Sequence, residues 1–354
     1  MFAGNRKSRA PGKILGIDIG TTAIKVVEVD QEKEKPELVT YGIGELRHFF
    51  EKSEKRSSYD THASDIVSRS LRMTLERADV GTRDAILTLP SSASHIAFIE
   101  LPKDESGGYG KRMVHEIERA IPFPIPDVFF EWVKVDDWQN AQGQAVERFL
   151  IIAIERRERA WYETVTRSAG VRVQKCVFSG IALAKALETS SAAPHLVIDI
   201  GARSSSLFIT RGGVLEYGNR IDSAGGALTQ SIAAGLGLAL ERAEDVKRER
   251  GLSRAGADYE LERVMKSSLG ILVNAVLAAR AEYARRYEVE CAVFSVIGGG
   301  SRLKGLPEHL AGETSMTSIP LEIFSRVLYP DGLAPLTDDL VSFLTPALSA
   351  ALFH

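Results

Sequence analysis

Leu15-Gly-Ile-Asp-Ile-Gly-Thr-Thr22 and Leu196-Val-Ile-Asp-Ile-Gly-Ala-Arg203 are two versions of one phrase, set half a chain apart. Each is an apolar run that closes on Asp-Ile-Gly. Each is followed by a second run, Ile24 to Val29 and Leu207 to Thr210. Strand, glycine turn and strand predict a β-hairpin both times. Internal repeats organise a chain more strongly than any single motif, and the simplest reading is two copies of one α/β unit facing each other. An Asp at the end of a buried strand projects toward a ligand. The Gly after it lets the backbone approach closely, and the amides and hydroxyls of such a turn hold phosphate. Two facing turns would grip one phosphate chain from both sides, with Asp18 and Asp199 holding a magnesium ion through water. The competing reading is two unrelated hairpins, since one Asp-x-Gly turn is common.

A third element follows in Val293-Phe-Ser-Val-Ile-Gly-Gly-Gly-Ser-Arg-Leu-Lys-Gly-Leu306, a buried strand running into three glycines. The glycines predict a surface on which an adenosine lies flat, flanked by Arg302 and Lys304. Ser301 is the expected N-cap of a following helix. A lone glycine triplet is only a tight turn; its weight comes from the order of the three elements. A fourth element, Glu241 to Gly251, places Glu244 and Lys247 on one helical face. There they meet a ribose or adenine edge, or form a surface ion pair.

The rest of the chain bounds these readings. Its 354 residues, 44% hydrophobic, allow two or three packed units. The formal charge of -3, from 44 basic and 47 acidic side chains, gives no general attraction to nucleic acid or to anionic lipid. Cys176 and Cys291 lack metal-ligand spacing and read as buried thiols of a reducing compartment. The basic start (Arg6, Lys7, Arg9, Lys13) is not followed by the apolar core of a signal peptide. No apolar run is long enough to predict a transmembrane helix. The expectation is a cytoplasmic protein with no direct membrane insertion and no nucleic-acid partner.

These elements, in this order, resemble the actin, DnaK-type chaperone and sugar kinase superfamily. Within it, the sequence is similar to the FtsA and PilM families. Gly16 to Val29 resembles the PilM start, as do Asp199-Ile-Gly-Ala, Gly225-Gly226-Ala-Leu-Thr229 and Ala243-Glu-Asp-Val-Lys247. Glu116-Ile-Glu-Arg-Ala-Ile-Pro-Phe-Pro124 resembles the PilM insert specifically. The resemblance implies an α/β actin-like fold: two ribonuclease-H-like halves around a nucleotide cleft, with an inserted FtsA-type IC subdomain. It implies ATP and Mg2+. Asp18, Gly20, Thr21, Thr22 and Lys25 match the first phosphate motif, and Asp199 and Gly201 the second. Glu244, Lys247, Gly298, Gly299, Gly300, Ser301, Arg302 and Lys304 match the adenosine contacts, and Gly225 and Gly226 are further nucleotide-binding positions. It also implies a partner, the cytoplasmic N-terminal peptide of a PilN-like bitopic membrane protein. That partner would place the chain at the inner membrane; self-association stays open.

The expected subdomains are IA at 13–84, 166–195 and 336–354; IC at 85–165; IIA at 196–223 and 291–335; and IIB at 224–290. Within IC the sequence predicts strands at 86–90 and 95–101, a helix at 111–121, a hairpin of 128–135 with 148–154 across a loop at 136–144, and a helix at 155–168. Glu45 to Asp65, charged and serine-rich, predicts a mobile surface excursion, and 190–194 a connector.

The superfamily places a Gln or Glu where the first connecting strand enters its helix. Here that place holds Phe178 and Ser179. Without a positioned base, water attack forgoes about 10²–10⁴-fold, so slow hydrolysis at most is expected. An FtsA-like filament protein is one rival, but the final residues, 343–354, contain no Lys or Arg to anchor an amphipathic helix. A small-molecule kinase would need a spare carboxylate base, and a DnaK-type chaperone a peptide-binding domain.

Overall fold

The computed structural model describes residues 2–3, 12–46, 61–104, 109–139, 143–188, 193–252 and 259–353. Both repeats fold as hairpins. In the first, β2 (Lys13–Ile19) pairs antiparallel with β3 (Ala23–Asp30), setting Asp18 opposite Lys25. In the second, β10 (His195–Ile200) pairs antiparallel with β11 (Ser205–Arg211), setting Asp199 opposite Ser206. β3 continues to β4 (Glu37–Glu45), and β11 to β12 (Val214–Ile221), both antiparallel. On the other side β2 has a parallel neighbour, β5 (Asp84–Leu89), and β10 has β13 (Val293–Ile297). The order β5-β2-β3-β4 is thus repeated as β13-β10-β11-β12. The first sheet is extended by β9 (Arg172–Phe178) and β1 (Phe2–Ala3), the second by β14 (Thr317–Ser318).

Helices cover the sheets. On the first, α1 (Thr61–Arg77) buries Val67, Leu71 and Leu75 against Ile17, Val26 and Leu87. On the second, α7 (Tyr259–Tyr287) is long and apolar enough to cross a bilayer. Its Leu261, Met265, Leu272 and Val276 are nonetheless buried beside Leu196, Ile198 and Phe294, so it serves as a core helix. The chain ends in α9 (Thr337–Ala351), whose Leu344, Ala347, Leu348 and Ala351 are fully buried. A Cβ at Gly16 would lie 1.9 Å from the carbonyl oxygen of Ala347, so glycine permits this close helix-on-strand approach. The C-terminal segment therefore packs on the first sheet.

Between the two runs of the first half stands a separate three-stranded sheet, β6-β8-β7. It comprises β6 (His95–Pro102), β7 (Val128–Gln139) and β8 (Ala145–Glu155), with α2 (Gly110–Ala120) on one face. Period-two alternation splits β8 between two cores. Phe149, Ile151 and Ala153 meet Met113 and Ile117 of α2, while Leu150 and Ile152 join the core shared by the two halves.

Several expectations change here. The boundary at 85 falls inside β5, a strand of the first sheet, because β5 pairs with both β2 and β9. The boundary at 165 falls inside α3 (Arg156–Ser168), whose Trp161, Tyr162 and Val165 pack with α1 in the first-half core. The insert is accordingly smaller than 85–165. The loop expected from 136 begins only after Gln139, since Asp136, Asp137 and Trp138 remain paired to β8. Of the charged stretch Glu45 to Asp65, residues 47–60 lie outside the described residues, while Thr61 onward is helical. Arg6, Lys7, Arg9 and most of the 190–194 connector also lie outside them. Ser301 is not an N-cap: it sits in a short 3-10 turn, and the helix, α8 (Leu306–Thr314), starts after Gly305 at φ +78°.

Candidate functional site

The two Asp-Ile-Gly turns close with the same bond. The Gly20 amide donates to the Ala23 carbonyl (3.0 Å), and the Gly201 amide to that of Ser204 (3.1 Å). What differs is the charge beside each carboxylate. Asp18, buried, accepts from the Lys25 ammonium at 2.7 Å and from the Thr88 hydroxyl at 3.2 Å. Asp199 has Ser206 at the register position that Lys25 holds in the first hairpin. Its side chain touches solvent, yet protein crowds it on every other side. That burial, and next the charge of Asp18, push its pKa up to about 6, against the pull of Lys25. Asp18 and Lys25 act on Asp199 from the other half of the chain, so the two turns face one cleft.

The triple glycine lies on the same cleft. Gly298 has φ +81°, and a Cβ there would fall 2.4 Å from Oδ1 of Asp199 and 2.6 Å from the Ile200 carbonyl oxygen. A Cβ on Gly300 would strike Ile200 at 2.2 Å, whereas one on Gly299 would meet open space. The backbone of 298–300 is therefore pressed against β10 with one open face. Its position is fixed from α9. Pro346 has no N–H, so the carbonyl four residues before it, Ser342, lacks its helical donor. That carbonyl accepts from the Gly298 amide at 2.8 Å, and the Ser301 hydroxyl bonds the Ser342 hydroxyl at 2.9 Å.

On the far side, α5 (Gly225–Leu236) starts against the second turn: Gly225 N–H donates to the Gly201 carbonyl and Gly226 N–H to that of Ala202. A Cβ on Gly226 would lie 2.7 Å from the Ala202 oxygen. From α6 (Leu240–Arg250), Lys247 donates to the Gly225 carbonyl (3.0 Å), the Thr229 hydroxyl (2.8 Å) and Glu244 (2.6 Å). Burial raises the Glu244 pKa, but hydrogen bonds from Lys247, Thr229 and Arg248 outweigh it and bring the value to about 2. Glu244 and Lys247 thus form an ion pair that ties α6 to the second turn.

Most of the sequence-selected residues converge: Lys25 bonds Asp18 beside the Gly20 turn, Gly225 bonds Gly201 while Gly298 abuts Asp199, and the charges of Asp18 and Lys25 act on Asp199 across the cleft. Thr21 and Thr22 occupy the first turn, with Thr22 exposed. Two basic residues are drawn elsewhere. Lys304 donates to the Glu249 carbonyl at the end of α6 (2.9 Å), and Arg302 lies 5.3 Å over the Phe343 ring. Thr88, Ser342 and Pro346 were not selected; the one visible signal was a single hydroxyl inside the apolar Ile86-Leu-Thr-Leu run. At the entry to α4 (Ser179–Ala186), Phe178 and Ser179 are buried, and Phe178 stands edge-on to Phe208 at 5.7 Å.

The cleft offers the carboxylates of Asp18 and Asp199, the Lys25 ammonium, two glycine turns and an open glycine face, with the ion pair of Glu244 and Lys247 beside the second turn. Among the described residues no cluster of three His, Cys, Asp or Glu forms a protein cage for a metal. Such a donor set suits Mg2+, which keeps several waters and binds through one or two carboxylates plus phosphates.

A family model described as Type IV pilus assembly protein PilM matches residues 16–345. Among solved structures, the chain is similar to a PilM-PilN type IV pilus biogenesis complex: 23% identity, TM-score 0.81, covering 96% of this chain and 97% of that one. It is also similar to the ethanolamine utilization protein EutJ from Carboxydothermus hydrogenoformans (16%, TM-score 0.54, 98% and 91%). MreB5 of Spiroplasma citri, solved with AMPPNP, matches at 12% identity and TM-score 0.53, over 97% and 96%. At these identities the likenesses establish the fold, which is actin-like.

Proposed function

Since the chain belongs to the family of the type IV pilus assembly protein PilM, we propose that it is an ATP-binding scaffold of the pilus assembly machinery. In this reading it works in the cytoplasm, held at the inner membrane by the N-terminal peptide of a PilN-like bitopic protein. The observation that carries the nucleotide reading is the shared cleft, in which Asp199 feels Asp18 and Lys25 from the opposite hairpin.

In this reading the amides of the Gly20 and Gly201 turns, with Lys25, hold the phosphates. Asp18 and Asp199 hold Mg2+ through water, and Mg2+ neutralises phosphate charge. The open face of Gly298 to Gly300 takes the adenine, with Glu244 and Lys247 at the ribose edge. Phe178 and Ser179, where a water-orienting carboxylate or amide would stand, leave hydrolysis slow. Nucleotide that touches both halves favours the closed arrangement by its differential affinity. Closure reshapes the groove between the first half and the insert, which is where the peptide docks.

The likeness of the whole chain to a PilM-PilN complex supports the partner. Capture of the purified chain by an immobilised N-terminal peptide of the PilN-like protein tests this, with and without Mg-ATP. The reading expects capture that changes with nucleotide in the wild type and not in Asp18→Ala. Capture indifferent to both would remove the coupling, and no capture would remove the partner.

A further inference from the structure

The inserted sheet is joined to the first half by chain and to the second half by side chains. Its covalent links are the segment between Leu89 and His95 and the step from Glu155 into Arg156. Its contact with the second half combines the apolar core around Leu150 and Ile152 with a polar cluster. Arg148 of β8 is buried and donates to the Glu216 carbonyl of β12 (2.9 Å) and to the Tyr287 hydroxyl of α7 (2.6 Å). That hydroxyl donates in turn to Oδ2 of Asp136 on β7 (2.6 Å). The Glu216 carboxylate, also buried, is held from its own half by Arg211 (2.7 Å) and Tyr283. At the rim, Arg286 pairs with Glu100 of β6 at 2.5 Å and lies over the Trp138 ring at 5.2 Å.

Two features of this contact bear on whether it opens. First, Oδ1 of Asp136 is buried without a hydrogen-bond partner. A permanent interior rarely leaves an acceptor unsatisfied, whereas a contact that separates would give it water. Second, one packing point beside the cluster depends on a glycine: a Cβ on Gly218 of β12 would lie 2.7 Å from Cδ1 of Ile96 on β6. Glycine lets the Ile96 side chain seat closely on β12 there. Because the insert hangs from the first half, any rotation of the second half away from the first slides β12 and the end of α7 past β6 and β7. Separated polar groups are rehydrated, so the cluster opens at far lower cost than an apolar core of equal size.

We propose that this cluster is a latch: Arg148, Asp136 and Glu100 of the insert engage Glu216, Tyr287 and Arg286 of the second half in the closed state and part when the cleft opens. Cleft closure and the seating of the insert are then one equilibrium. A ligand of the cleft tightens the latch, and whatever binds the insert reports on the cleft. The claim rests on the nucleotide reading above for the identity of the cleft ligand alone.

The test uses the full chain as wild type, Tyr287→Phe and the Asp136→Asn/Tyr287→Phe double variant. Amide hydrogen exchange is followed without nucleotide and with Mg-AMPPNP, alongside calorimetric titration. The latch predicts faster exchange in the double variant at both 95–102 and 214–221, with the core of α1 unchanged. It predicts added protection of those segments by Mg-AMPPNP in the wild type, and a Kd about tenfold weaker in the variant, an ordinary size for coupling between sites. Unchanged exchange at the two segments with unchanged Kd would overturn it. If the wild type binds no Mg-AMPPNP, the nucleotide reading fails, and nucleotide-free exchange still decides the latch. If the double variant does not fold, Tyr287→Phe decides it, since that change keeps the ring that packs, tilted, against Tyr283 at 4.7 Å.

Discussion

Asp199→Asn separates the cost of building the cleft from its use. Burial, and next the neighbouring Asp18 charge, raise the folded pKa of Asp199 from an ordinary 3.8 to about 6. Between those values the folded chain holds more proton than the unfolded one, so stability falls as pH rises and stays low above 6. A shift of two units corresponds to about 3 kcal/mol at most. Asp199 touches solvent, and screening reduces this to about 1–2 kcal/mol. An uncharged amide of the same shape lacks the penalty. The nucleotide-free Asn variant should therefore be more stable than wild type at pH 7.5 by that amount, and no more stable at pH 4, where the native carboxyl is neutral too. Urea unfolding followed by circular dichroism from pH 4 to 8 gives the comparison. The same variant should bind Mg-AMPPNP about tenfold more weakly, a loss of about 1.4 kcal/mol. An Asn variant less stable than wild type at pH 7.5, or a difference that does not change with pH, would refute the electrostatic reasoning.

Other outcomes follow from neighbouring residues. Gly298→Ala forces a side chain into positive φ at about 1–2 kcal/mol and overlaps Asp199 and Ile200 at about 1–3 kcal/mol more; a lower urea midpoint checks it. Glu244→Gln should cost about 1–2 kcal/mol at pH 7 after screening. The Glu244 pKa is lowered to about 2, so its contribution is present above pH 4.5, fades as pH falls through that range, and should be gone below pH 2; the two unfolding curves should converge in acid. Truncation after Leu336 removes the fully buried residues of α9 and should give insoluble protein. Steady-state ATP turnover by the purified chain should stay below about 1 s⁻¹, the low end of ordinary enzymes.

The duplicated hairpins were legible because both features that define them are local: apolar runs and a glycine turn. The repeat alone led to the expectation that Asp18 and Asp199 meet, and the order of the three elements to the place of the triple glycine beside them. What escaped was whatever depended on pairing or packing between distant segments. β5 and α3 read as parts of the insert by adjacency, and only their pairing with β2 and packing with α1 assign them to the first half. Asp136, Asp137 and Trp138 look like loop residues because a polar, half-exposed strand end has loop composition. Ser301 had the chemistry of an N-cap but not the backbone, because Gly305 at positive φ delays the helix. Lys304 had the right charge in the right place along the chain, yet a helix C-terminus took it. The bond between the Gly298 amide and Ser342, released by Pro346, has no signature short of the folded chain.

The account stands on two turns sharing one ligand, and a calorimetric titration with Mg-AMPPNP tests that most directly. Wild type, Asp18→Ala and Asp199→Ala are compared. One bound nucleotide per chain, weakened by either substitution, is predicted. No binding by the wild type, or a site weakened by only one of the two changes, would contradict it.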